Sequence, residues 1–461
     1  MRPLKPFATV LVLLAFFVCA AAAEARTVPA SDFGTAGKVG TIGGVPYPYG
    51  DDYAAVAGDG DIYVAAQSSG VLLQRYLPDG KIDPTFGDGG TVSAGELDGM
   101  GFRLGGLLVD AAGQPYLVGT TFADSTLPSY LVGTIAPPGY ATVAHYTSTG
   151  ALDPGFGNGG VARFDFGLPA PGVPYEKPTV YGSRAVLDSA GRIVLVASED
   201  EFEARGGGHG GAYENAKLIA RLTPTGQLDS SFGGDGTVAV PSIAVNGLGV
   251  DAEGGAELAL GGAAGRTTTS FRLMRLLADG QPVAALSPVG VRSYSGVGAA
   301  RALAVEAGGG GVVLGTSPVR SPHKGGTITP VMKIAATGAP AHGFGKRGTV
   351  RIHLPGHSYL SEVITDGSGG AYLVGARVTR PPHHTWQKPL RQGLVVHLEA
   401  DGNLDPEFGD QGLLTIVSPA ELLAHGASLT AGGKRLLVHG SAYMRRAGTY
   451  QFLAEYKLGG R

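Results

Sequence analysis

The stretch Leu77-Pro-Asp-Gly-Lys-Ile-Asp-Pro-Thr-Phe-Gly-Asp-Gly-Gly-Thr-Val92 decides the fold, because the chain repeats it. It returns as TSTGALDPGFGNGGV over Thr147 to Val161 and as LTPTGQLDSSFGGDGTV over Leu222 to Val238. Further copies are AATGAPAHGFGKRGTV (Ala335 to Val350) and EADGNLDPEFGDQGLL (Glu399 to Leu414). A worn copy, LADGQPVAALSPVGV, runs from Leu277 to Val291 without the Asp and the Phe-Gly pair, and its loop is expected to be reshaped. The shared core is D/T-G-x-L-D-x-x-F-G-x-x-G. One segment recurring along the whole chain, at spacings long enough for a four-stranded unit with variable loops, marks a stacked or ring-shaped architecture.

A second segment alternates with the first: two short apolar runs about a Gly turn. Examples are LLVDAAGQPYLVG (Leu107 to Gly119), AVLDSAGRIVLVA (Ala185 to Ala197) and LAVEAGGGGVVLG (Leu303 to Gly315), and seven copies can be found. Runs of four to six residues rich in Val, Leu, Ile and Tyr, broken by D-x-x-G turns, read as strands in hairpins. Each unit parses into strands a, b, c and d, with the L-D-x-x-F-G loop joining c to d. After the seventh strand c (Phe452 to Leu458) the sequence has no such loop. The missing piece, Ser31-Asp32-Phe33-Gly34, stands at the other end of the chain. A closed ring accounts for this: the N-terminal strand completes the last unit and leaves no sheet edge open. The expected fold is all-β, a seven-bladed β-propeller.

At these motifs the chain resembles the delta-60 repeat family of bacterial exported proteins, over essentially its whole length after residue 25. That resemblance implies a propeller-like fold and no general activity or catalytic residue.

The first residues carry Arg2 and Lys5, then an apolar run from Phe7 to Ala23, then Ala23-Glu24-Ala25. This is the layout of a cleaved secretory signal. The expected organisation is a signal peptide over 1–25 and one propeller domain over 26–461, secreted or held in the cell envelope, with no membrane span in the mature form. Cys19, the single cysteine, leaves with the signal. The mature chain then has no disulfide or thiol chemistry, and stability must come from burial. Of 35 basic and 38 acidic residues, two and one lie in the signal, which leaves a net charge of −4. A nucleic-acid binder would be markedly basic, so that class is set aside. Glycine, 78 of 461 residues, has no collagen period and signals many tight turns.

Candidate sites must be weighed against the repeat. Asp83, Asp153, Asp229 and Asp405 recur once per unit, without the alternating spacing of a calcium loop, and read as turn formers. Asp366-Gly-Ser-Gly-Gly370 mimics a hydrolase fragment but occupies an a–b turn. The late histidines, including His353, His357, His397, His425 and His439, show no zinc motif, and neither metal nor cofactor is expected.

The a–b and c–d connections are uniform, whereas the b–c and d–a connections vary widely. Function rides on irregular loops held by a scaffold, so the b–c/d–a face is the expected binding face. Its b–c segments in units five to seven hold Arg320, Lys324, Arg377, Arg380, Lys388, Arg391, Arg445 and Arg446 with no acidic residue, together with His383, His384 and Trp386. Such a basic, aromatic sector suits an anionic glycan or envelope polymer. The sequence therefore reads as a monomeric, non-enzymatic propeller binding a glycan or a protein. The alternatives are a glycan-active lyase or hydrolase at the channel mouth and a structural envelope protein. Acidic or His side chains converging at that mouth would favour an enzyme.

Overall fold

The computed structural model describes residues 27–35, 38–45, 52–67, 70–122, 139–166, 179–200, 217–241, 244–261, 270–316, 326–379, 390–418, 421–444 and 448–459. Residues 1–25, read above as a signal, lie outside them. Within them the only helical piece is the single 3₁₀ turn Ala431–Gly433, and no helix is long and apolar enough to cross a membrane.

The strands form seven antiparallel, four-stranded blades. Blade one is Asp52–Val56, Ile62–Gln67, Val71–Tyr76 and Thr91–Ser93. Blade two is Met100–Val109, Pro115–Phe122, Gly139–His145 and Val161–Phe164. Blade three is Thr179–Leu187, Ile193–Asp200, Lys217–Leu222 and Thr237–Ala239. Blade four is Val245–Val250, Ala256–Leu260, Ser270–Leu276 and Val291–Ser295. Blade five is Ala300–Val305, Gly311–Gly315, Thr327–Ile334 and Thr349–Leu354. Blade six is His357–Thr365, Ala371–Thr379, Leu390–Leu398 and Leu413–Ile416. Blade seven takes strands a to c from Glu421–Leu429, Arg435–Met444 and Gly448–Lys457. Its strand d is Lys38–Val45, from the other end of the chain, with Lys38 opposite Ala454; Val28–Pro29 extends the same edge at Lys457 and Tyr456.

The strands a touch their neighbours all the way round, and strand a of blade seven touches strand a of blade one, so the ring is closed. Apolar residues alternate along each strand and face the two adjoining blades. They form seven separate clusters, one per seam. The closing seam holds Ala30 and Phe33 from the N-terminal segment against Ile62 and Val64 of blade one and Leu437 and Leu453 of blade seven. The core is thus a ring of seams rather than one centre, and each blade depends on both neighbours for burial.

The repeat motif builds those seams. Phe33, Phe86, Phe156, Phe232, Phe344 and Phe408 are all essentially buried, each wedged between its own blade and the next. The glycine after the Phe donates its N–H across the seam to the carbonyl ahead of the glycine in the next blade's turn. The pairs are Gly34 to Asp79 (2.8 Å), Gly87 to Thr149 (2.8 Å), Gly157 to Thr225 (2.9 Å), Gly233 to Asp279 (2.9 Å) and Gly345 to Asp401 (2.7 Å). The receiving turn needs glycine for two reasons. Gly226 has φ of +79°, and a Cβ there would stand 2.9 Å from the Phe156 ring.

Candidate functional site

The two ends of the ring are built differently. At the a–b/c–d end the repeated polar residues are spent on one another. The loop aspartates do form turns: one carboxylate oxygen of Asp83, Asp153, Asp229 and Asp405 accepts the backbone N–H two residues on. The other oxygen meets a base near the end of strand c. Those pairs are Arg75 with Asp83, His145 with Asp153 at 3.0 Å, Arg221 with Asp229 at 2.8 Å, and His397 with Asp405 at 2.8 Å. Blade four substitutes Glu257 for the loop acid, 2.8 Å from Arg275, and blade five uses Glu306 of the a–b turn, 2.8 Å from Lys333.

Apart from the half-buried Lys333 these bases are buried, Arg221 to 1% exposure, and several also cross the seam. Arg75, Arg221, Arg275 and Lys333 donate to the carbonyls of Ser148, Ala278, Ala336 and Gly369 in the next blade. Burial raises the Asp83 carboxyl, but the Thr85 donors and Arg75 outweigh it and hold the group below the usual carboxylate range. Asp229 is depressed in the same way by Ser231 and Arg221 against burial. A buried charge kept with its partner and with extra hydrogen bonds is tolerated, whereas removing one partner is costly. In blade seven the polarity is reversed: Glu455 sits on strand c and pairs with Arg435 at 2.7 Å, which reaches Asp32 at 2.6 Å.

Asp366 belongs to this system. It caps its own a–b turn through the N–H groups of Ser368 and Gly370, and it meets His397 Nε2 at 3.1 Å. The DGSGG resemblance is therefore a structural turn. The strand-c base was legible in the sequence as one Arg, Lys or His just ahead of the turn in six units, and its partnership with the loop Asp is what motif reading missed.

The opposite end carries a groove of about 890 Å³ between blades one and two. Gln67, Glu96, Arg103, Phe102 and Phe122 line it, with Gly70 and Gly95 on the wall where the backbones close in. Of the expected basic sector, Arg320, Lys324, Arg380, His383, His384, Trp386, Lys388, Arg445 and Arg446 lie outside the described residues. Arg377 and Arg391 are described and do not share a surface. Arg377 stands opposite Gln392, and Arg391 stands opposite Val378. With side chains alternating, Arg377 projects on the face shared with Leu373, towards blade five, and Arg391 on the face shared with Val374, towards blade seven. Arg377 is half-buried, with its Nε enclosed.

The inner wall holds a third polar region. The pairing of strand a with strand b slips by one residue in six blades, at Gly105, Ser183, Asn246, Arg301, Ser361 and His425. Such bulges re-aim the side chain that is left over. In blade seven the bulged His425 turns its Nδ1 to Asp52 of blade one, while its Nε2 lies 3.2 Å from Ser441 Oγ. His439 stands beside them, pushed down to about 4 by burial first, with Asp52 opposing and His425 reinforcing. The carboxyl of Glu362, in blade six, is raised by burial, against a bond from the Val363 N–H and the field of Arg184 in blade three. Among the described residues no group of three or more His, Cys, Asp or Glu side chains is arranged to hold a metal ion.

A family model described as a domain of unknown function (DUF5122) beta-propeller matches residues 56–86 and 207–232. Both segments end on the seam Phe, Phe86 and Phe232, which supports a propeller repeat family. No curated protein matches the sequence. Among solved structures, the chain is similar to polysaccharide lyase Uly1 (TM-score 0.45, 9% identity, 91% of this chain and 92% of that one). It is also similar to a subtype N11 neuraminidase-like protein of A/flat-faced bat/Peru/033/2010 (H18N11) (0.39, 9%, 92% and 94%). A third is the tricorn protease (0.44, 10%), where 90% of this chain spans about a third of that one (34%).

Proposed function

We propose that the protein is an exported binding scaffold that takes a glycan or protein partner on the face where the b–c and d–a loops emerge. The observation behind this reading is the asymmetry of the ring. The polar repeat residues at the a–b/c–d end are committed to turns, ion pairs and seams. The other end carries the variable connections and a groove whose volume falls in the range of small-ligand sites. An anionic glycan suits the basic b–c loops of blades five to seven, with arginine forks on its carboxylates or sulfates. Because Arg377 and Arg391 diverge, the ligand contacts are assigned loop by loop rather than to one patch.

The test is a glycan array with the mature protein at low and physiological salt. Its partners are two loop variants, Arg380→Ser with Lys388→Ser, and Arg445→Ser with Arg446→Ser. Arg377 is left intact, because its side chain is partly buried. Binding to acidic glycans that weakens with salt and falls in at least one variant is expected. Absence of binding at either salt would remove the glycan, leaving a protein partner to be sought.

The alternative of a glycan-cleaving enzyme draws support from the convergence of Asp52 and His425 at the inner wall. Glycoside hydrolysis needs two carboxylates flanking one bond, and Asp52 is already engaged by His425.

A further inference from the structure

Three side chains at the inner end of the closing seam form a hydrogen-bonded chain that the repeat does not call for. Ser441 Oγ lies 3.2 Å from His425 Nε2, and His425 Nδ1 meets Asp52 Oδ1. The position of His425 is taken by Gly105, Ser183, Asn246, Arg301 and Ser361 in blades two to six. Asp52 comes from blade one, so the chain exists only where the ring closes. Beside it stand the buried His439 and the apolar side chains of the same seam, Ile62, Val64, Ala66, Leu437 and Leu453. The Asp52 side chain is 4% exposed and that of His425 28%, while Ser441 is 6% exposed, so an acyl group reaches Oγ only past the imidazole at the rim.

We infer that Ser441, His425 and Asp52 form a nucleophilic relay that acts on small acyl esters, an activity separate from binding at the loop face. A carboxylate against Nδ1 fixes the imidazole proton there and leaves the Nε2 lone pair facing the serine hydroxyl. When Ser441 Oγ attacks an ester carbonyl, its proton passes to Nε2, and Asp52 stabilises the imidazolium. The Oγ–C bond forms, the C–O bond to the leaving alcohol breaks, and Nε2 returns the proton to that alcohol. Water then attacks the acyl-serine, gives its proton to Nε2, and releases the acid as the proton returns to Oγ. Ser441 and His425 are the catalytic residues. Asp52 is a positioning residue, acting through the imidazole.

A fluorophosphonate probe tests this on the whole mature protein, because it needs only the nucleophile and its base. Oγ bonds to phosphorus, fluoride leaves, and the proton goes to His425. The expected result is one label per chain, mapped to Ser441, with p-nitrophenyl acetate hydrolysis blocked once the label is on. S441A and H425Q should lose about 100-fold or more in labelling rate while keeping the wild-type melting temperature. D52N should slow labelling while keeping the wild-type melting temperature, because the imidazolium loses its counter-charge, and D52E should recover part of the rate. A wild-type protein that takes no label, or a label that persists in folded S441A, would overturn the inference. Neither result depends on whether the glycan array succeeds.

Discussion

His439 stands where blades two, three, five and six carry Val118, Val196, Leu314 and Val374. An imidazole in an apolar site resists protonation, which is why burial holds it at about 4 instead of 6.5. The unfolded chain therefore binds a proton between those two pH values that the folded chain refuses. Its contribution to stability is complete above about pH 6.5 and is lost as pH falls towards 4. The gap corresponds to at most about 3 kcal/mol, reduced by whatever water reaches the ring. His439→Leu is expected to flatten this acid limb, measured by urea unfolding at stepped pH; parallel profiles for variant and wild type would contradict it. At this scale the sequence was legible wherever a residue recurred. The aspartates read as turn formers because they repeat, and they are. Their second partners were hidden, because a base on strand c and an acid on the following loop meet only after the chain folds back. Asp52, His425 and Ser441 gave no motif at all, since the triad assembles from opposite ends of the chain.

Blade four shows how a strand compensates for a worn loop. Leu286 fills the seam position of the Phe, and Ser287 replaces the glycine that would donate across it. The first half of the loop keeps its path, with the Val283 N–H bonded to the Arg275 carbonyl as the Asp83 N–H is to that of Arg75. The second half is reshaped: Gly290 donates to Ser287, whereas Gly90, Gly160, Gly236 and Gly412 donate to the carbonyl of the Phe. Strand d makes a cross-seam bond of its own, one residue further along the receiving turn. Tyr294 stacks on Phe271 and donates its hydroxyl to the Gly338 carbonyl at 2.6 Å, and Arg292 reaches the same oxygen at 3.2 Å. Removing the Tyr294 hydroxyl takes away one of two donors at a buried carbonyl, and Tyr294→Phe is expected to cost about 1 kcal/mol. Hydrogen exchange around Leu277–Val291 and Ala335–Pro340 should quicken with it. An unchanged melting temperature and unchanged exchange would show that the seam does not rely on this bond.

The whole molecule was the most legible level, because four-strand units with alternating apolar residues and turn glycines leave few other solutions. The absence of the c–d loop from the seventh unit, matched by its presence near the N-terminus, predicted the closure that Lys38–Val45 makes against Gly448–Lys457. The sequence separated the two ends by the variability of their loops, but not the ion pairs and cross-seam bonds of the a–b/c–d end, which join residues of different strands and blades. Closure also carries the functional account, because Asp52 meets His425 only if blades one and seven are held together. The N-terminal segment contributes Ala30, Phe33 and Val39 to that seam, and Asp32 to Arg435 and Lys457. Asp32 is held down to about 2 by hydrogen bonds from those two bases. Without this segment, strand c of blade seven becomes an open edge over an exposed apolar seam. The most direct measurement is thermal unfolding, with light scattering, of a chain that begins after Val45, set beside one that begins at residue 26. A closed ring predicts that the shorter chain melts at least 10 °C lower and self-associates. Equal melting temperatures and a monomeric shorter chain would contradict a ring closed by its N-terminal strand.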